Sequence, residues 1–139
     1  MRAHELMTPN PVTVTPETSV AEVWDLMREL EIRHVPVVDG GALVGMLSDR
    51  DLARFDLGRL LTAEGAVALR HDLGTPVVKV MSSDVIAVTP DTGLDEIVEL
   101  LVEQRVGAIP VVRSDDTREV IGIVSYIDVL RALQDSLGE

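Results

Sequence analysis

The chain has 139 residues, 46% of them apolar, which suffices for a packed core and is too apolar for wholesale disorder. Its net charge of −12 argues against a nucleic-acid binder and against docking on anionic membranes, although local cations and backbone N–H groups can still hold a small anion. No cysteine is present, which excludes disulfides, thiolate metal sites and thiol nucleophiles.

The opening MRAHELMTPNPV holds no apolar signal segment, and no apolar run approaches ~20 residues, so a cytoplasmic location is expected. VTVT (12–15) alternates as a short strand does. A helix follows, which Thr18 or Ser19 can cap, with Glu22 three residues after Ser19 in capping-box spacing. Its apolar residues Val20, Val23, Trp24, Met27 and Leu30 recur at helical period. VPVV (35–38) and LVGML (43–47) read as strands joined by a turn at Asp39-Gly40-Gly41. A second helix begins after Ser48. The connector from Arg54 to Lys79 contains RLLTAEGAVALRHDL, helical in part, and is punctuated by Gly74-Thr75-Pro76.

The pattern then starts again. Met7 to Val38 aligns without a gap on Met81 to Val112, 74 positions later, and 11 of the 32 pairs are identical, enough to read an internal repeat. IAVT (86–89) is the strand, Thr92 precedes Asp95 at capping spacing, and Leu94, Ile97, Val98 and Leu101 give the helical stripe. IPVV (109–112) and VIGIV (120–124) are the later strands, and a helix begins after Ser125. From Val44–Leu52 to Ile121–Val129 the offset becomes 77, so three extra residues sit in the second hairpin, Arg113 to Glu119. Each copy is strand–helix–strand–strand–helix. About 55 residues bury little alone, so two copies sharing one module are expected.

Some residues carry chemistry. Ser48-x-x-Asp51 and Ser125-x-x-Asp128 have capping-box spacing, which reads as a helix start ahead of ligand contact. Arg33 and His34 stand at the entrance of a buried strand. By themselves they read as a solvated entrance or a salt bridge to nearby acids, although an arginine fork is also suited to an anion. His34 would add a proton-dependent charge. His4, His34 and His71 share no ligand-like spacing, and no nucleophile turn surrounds either serine, so neither a metal site nor catalytic residues are expected.

The ordered set VTVTPETSVAEVWDLM, IRHVPVVDGGALVGMLSDRDL, VIAVTPDTGLDEIVELL, VGAIPVV and VIGIVSYIDVL resembles the tandem CBS domain pair, or Bateman module, over nearly the whole chain. The resemblance implies an α/β (α+β) fold of two β-α-β-β-α repeats packed with pseudo-two-fold symmetry. The motifs would span residues 1–60 and 80–139, with a linker at 61–79. It also implies a regulatory, non-enzymatic module that binds AMP, ADP, ATP or S-adenosylmethionine in clefts between the repeats and relays occupancy to an effector protein. No obligatory cofactor goes with it. Carried over by position, one cleft would group Val12, Ile32, Arg33 and His34 with Ser125, Ile127 and Asp128. The other would group Ile86, Val106 and Gly107 with Ser48, Arg50 and Asp51. Gly107-Ala108 stands where the first copy has Arg33-His34, so the clefts are expected to differ, with the Arg33 cleft the better phosphate site. The alternative is a homodimeric scaffold without a physiological ligand, built on the helix faces that follow Val20 and Leu94.

Overall fold

A computed structural model describes residues 1–53 and 74–138. The part-helical reading of 54–73, His71 included, lies outside them. In chain order the elements are α1 (Ala3–Leu6), β1 (Thr8–Pro9), α2 (Val20–Leu30), β2 (His34–Asp39), β3 (Ala42–Ser48) and α3 (Asp49–Leu52). A 3-10 turn (Val77–Lys79) comes next, then α4 (Leu94–Gln104), β4 (Ala108–Val112), β5 (Val120–Ser125) and α5 (Tyr126–Leu137). The chain falls into two compact units. One joins Thr13–Asp39 with Val44–Asp84; the other joins Met1–Val12, Gly40–Leu43 and Val85–Glu139. The units therefore do not follow the order of the repeats along the chain: residues 1–12 go with the second repeat, and residues 74–84 go with the first.

The same physics builds both repeats. In the first, Gly40 and Gly41 both take positive φ, as a two-residue turn requires, and β2 pairs with β3. In the second, β4 and β5 pair antiparallel from Ala108↔Ser125, with an irregularity between Val111 and Val112 that absorbs part of the longer loop. That loop is tied by an Arg113–Glu119 ion pair at 2.6 Å. The expected VTVT and IAVT strands shrink to one parallel bridge each, Val14↔Val37 and Val88↔Val111. Pro16 and Pro90 follow closely, and Thr18 and Thr92 turn the chain by accepting the N–H of Thr15 and Thr89, each at 3.2 Å.

That turn corrects one expectation. Ser19 caps α2 by accepting the Glu22 N–H at 3.2 Å, but Thr92 does not cap α4, because its hydroxyl is engaged with Thr89. Gly93 holds the N-cap position there, with no side-chain bond.

The cores correspond position by position. Val14, Val23, Val35, Val37 and Leu47 lie in one cluster; Val88, Ile97, Ile109, Val111 and Val124 take their places in the other. A swapped segment closes each. β1 pairs with β5 through Thr8↔Ile123 and Pro9↔Gly122, and Ser82 bridges Met46. This brings Met7 over Gly122 and Met81 over Gly45. A Cβ on either glycine would overlap the methionine sulfur.

The Gly122→Ala variant is accordingly expected to lose roughly 1–3 kcal/mol of stability. Adding Met7→Ala should restore part of it, a non-additivity that urea unfolding of the two single variants and the double variant reads directly. Additive losses would show that Met7 is not what Gly122 makes room for.

Candidate functional site

Most of the predicted site residues, Val12 and Ile86 apart, lie where a hairpin strand begins and a helix starts. Because β2 and β3 form a hairpin, the start of β2 lies beside the end of β3. There the Asp49 N–H donates to the Arg33 carbonyl at 2.9 Å. In the second repeat the Tyr126 N–H donates to the Gly107 carbonyl at 3.0 Å. Arg33 and Gly107 are 74 positions apart, Asp49 and Tyr126 are 77 apart, and the two bonds are equivalent.

Each junction carries a full capping box. Asp51 Oδ2 accepts from the Ser48 N–H at 2.8 Å and from Ser48 Oγ at 3.2 Å, while the Asp51 N–H donates back to Ser48 Oγ at 3.3 Å. Asp128 and Ser125 repeat this at 2.8, 3.0 and 3.3 Å. Both aspartates are therefore fixed through one carboxylate oxygen and satisfy helix N-termini. The capping role is what the geometry displays. It leaves Oδ1 of each carboxylate able to accept from a ligand.

The first junction is the charged one. Arg33 is exposed and His34 half-buried, and together they join Ser48, Arg50 and Asp51. Burial pushes the His34 imidazole below its ordinary value. Arg33 adds to that, and the Asp49 and Asp51 carboxylates oppose it. The second junction sets Val106, Gly107 and Ala108 beside Ser125, Ile127 and Asp128, with no cation at the equivalent positions. Val12, Ile86, Val106 and Ile127 are exposed apolar side chains, and Ile32 is half-buried. Hydrogen bonding joins Arg33 to the Ser48–Asp51 turn and Gly107 to the Ser125–Asp128 turn.

A pocket of about 480 Å³ opens beside the first junction, within one unit. Trp24, Met27, Ile32 and Leu52 supply apolar walls; Arg28, Glu31, Arg33 and Asp49 supply charge. Sequence reasoning did not assign Arg28, Glu31 or Asp49 to a site. A signal was present, since Trp24, Arg28 and Glu31 fall at i, i+4 and i+7 on one face of α2. Among the described residues, no three His, Asp or Glu side chains gather as ligands for a metal ion, and no helix is long and apolar enough to cross a membrane.

With these junctions in view, comparison with known proteins defines the class. The CBS domain family matches residues 3–58 and 77–135, and the chain belongs to it as a tandem CBS pair. Its sequence is 32% identical over 125 residues to the CBS domain-containing protein YhcV of Bacillus subtilis, covering 90% of this chain and 80% of that one. Several other curated relatives are longer, and the chain spans 47% of one and 23% of another. Among solved structures, it resembles CBSX2 in complex with AMP, with a TM-score of 0.78, 31% identity and 96% of both chains covered. It also resembles the CBS domain pair of protein MJ0100 in complex with 5-methylthioadenosine and S-adenosyl-L-methionine, with a TM-score of 0.79, 25% identity and 98% of both chains covered.

His34 makes stability depend on pH in a definite sense. Its folded value lies below its unfolded value near 6.5, so the unfolded chain binds more protons between the two. The contribution is fully present above about pH 6.5 and is lost as pH falls through the folded value. Urea midpoints should therefore drop more steeply for the parent than for His34→Gln between about pH 7 and 5. Parallel curves would remove His34 as the titrating group.

Proposed function

We propose that this CBS pair is a regulatory, non-catalytic module that senses an adenosine-containing ligand, AMP, ADP, ATP or S-adenosylmethionine, and relays occupancy to a separate effector protein in the cytoplasm. The observation that carries the reading is the repeated strand–helix junction, with a carboxylate fixed by the same capping box in both copies. Asp51 and Asp128 would accept from the ribose 2′- and 3′-hydroxyls. Val12, Ile32, Ile86 and Val106 would give aliphatic surface for the purine, and Ser48, Ser125, Arg50 and Ile127 would line the approach. The adenosine ligands of CBSX2 and MJ0100 favour this chemistry over other small anions.

The junctions would not be equivalent. Arg33 can hold two phosphate oxygens with its planar fork, and His34 can add a proton as the phosphate arrives, since a nearby anion favours the imidazolium. Gly107 and Ala108 can do neither. The Arg33 junction is therefore the phosphate-reading one, and ligand occupancy would act by favouring the conformation that binds it better.

A homodimer belongs to the same reading. The specific observation in its favour is the row of exposed leucines on α5, Leu130, Leu133 and Leu137.

Calorimetric titration tests the ligand. AMP should bind, Arg33→Ala should weaken AMP by about tenfold or more, as losing a charge-assisted pair does, and adenosine should bind both proteins alike. Equal weakening of adenosine and AMP would take the phosphate away from Arg33. No heat with AMP, ATP or S-adenosylmethionine, together with an unchanged melting temperature, would reject ligand sensing altogether.

A further inference from the structure

Trp24 is the chain's one tryptophan, and it stands in the wall of the pocket beside the first junction. Its neighbours there are of two kinds. Met27, Ile32 and Leu52 are apolar. Arg28 and Arg33 are cations while Glu31 and Asp49 are anions, so the lining holds two charges of each sign. Among the described residues, Arg28 and Glu31 make no ion pair with each other, although they stand three positions apart at the end of α2.

The second repeat shows that the fold does not require these charges. The positions equivalent to Arg28, Glu31, Arg33 and Asp49 hold Val102, Arg105, Gly107 and Tyr126, which keep a single charge, reversed in sign, around a corresponding core. Trp24 corresponds to Val98, and Ala53, also in the lining, corresponds to Leu130. The first repeat thus places an indole, a small residue and a balanced set of charges where its twin is mostly aliphatic.

We propose that this pocket binds a ligand of α-amino-acid chemistry: an ammonium and a carboxylate on one carbon, carried by a large apolar body. A simple anion would meet Glu31 and Asp49, and a simple cation would meet Arg28 and Arg33. A neutral apolar ligand would strip water from all four without pairing them. A group bearing both signs can satisfy both kinds of partner. Arg33 belongs to the phosphate reading, which leaves the planar fork of Arg28 for the carboxylate. Glu31 suits the ammonium, because it caps the C-terminal end of α2, where the last carbonyls also favour a cation. Trp24, Met27, Ile32 and Leu52 then cover the apolar body, in a volume of about 480 Å³ that falls in the range of small-molecule sites. Neither Arg28 nor Glu31 has a part in the adenosine reading. Two sources carry this chemistry, a free amino acid and the methionyl end of S-adenosylmethionine.

Fluorescence of Trp24 in the full chain reads occupancy directly, since no other tryptophan contributes. Methionine and leucine should each shift its emission to saturation. Isocaproate and isoamylamine, the leucine skeleton with only the carboxylate or only the ammonium, should bind at least about tenfold more weakly, as loss of one charge-assisted contact does. Arg28→Gln and Glu31→Gln should each weaken leucine by the same factor. Glu29→Gln, on α2 but outside the lining, should not. A shift with the free amino acids assigns the pocket to them; a shift with S-adenosylmethionine, but with neither free amino acids nor AMP, assigns it to the methionyl end. No shift with any of these, isocaproate binding as well as leucine, or full leucine affinity in both pocket variants would overturn the site. Calorimetry with AMP on the same protein separates the two readings. AMP binding without an amino-acid response overturns the pocket alone, and a free amino-acid response without adenosine-ligand binding overturns adenosine sensing alone.

Discussion

The hydrogen bond from a helix N-terminus to the carbonyl at the entrance of a neighbouring strand is the constraint on which the site depends. Asp49 makes it to Arg33 and Tyr126 makes it to Gly107. It ties the start of one hairpin strand to the end of the other, and the Ser-x-x-Asp box then locks the first helical turn. Capping and the proposed ligand contact are consequently compatible roles. The cap holds the carboxylate still, and a fixed carboxylate would bind a diol without first losing its own freedom.

From that shared frame the repeats have diverged in charge rather than in shape. Core positions exchange one apolar residue for another, Val23 for Ile97 or Leu47 for Val124, and the clusters keep their form. At the junction the change is from Arg33-His34 to Gly107-Ala108, and on the outer helix surface it is from Arg28 to Val102. Cores resist changes of volume, whereas surface positions accept changes of charge at little cost, so the repeats differ most at the surface. One repeat retains cations suited to an anion, and the other carries apolar area suited to a protein contact.

The swapped segments add a second constraint. Met7 over Gly122 and Met81 over Gly45 tie residues outside each repeat to its central strand. Each glycine sits in the strand that leads directly into a capped serine, Ser125 or Ser48. Close packing there sets the strand from which the capping aspartate is presented, linking core geometry to the position of that carboxylate.

The repeat, its helical and strand periods, the Gly40-Gly41 turn and both capping boxes were legible in the sequence, because each is a local relation fixed by spacing. The two helix ends at Glu31 and Arg105 were not, since both residues take left-handed φ, at 54° and 53°, where glycine or asparagine would have signalled it. Nor did sequence show that Thr92 turns the chain and leaves α4 uncapped, because Thr15 and Thr89 compete for the same hydroxyls within a turn. Tertiary structure alone decided which segment closes which unit, that Arg33 is bonded to the helix start at Asp49, and that Trp24, Arg28 and Asp49 share a pocket. These are relations between residues far apart in the chain. Local spacing carries no record of them, and they are settled only when apolar burial and backbone pairing select one arrangement of the whole.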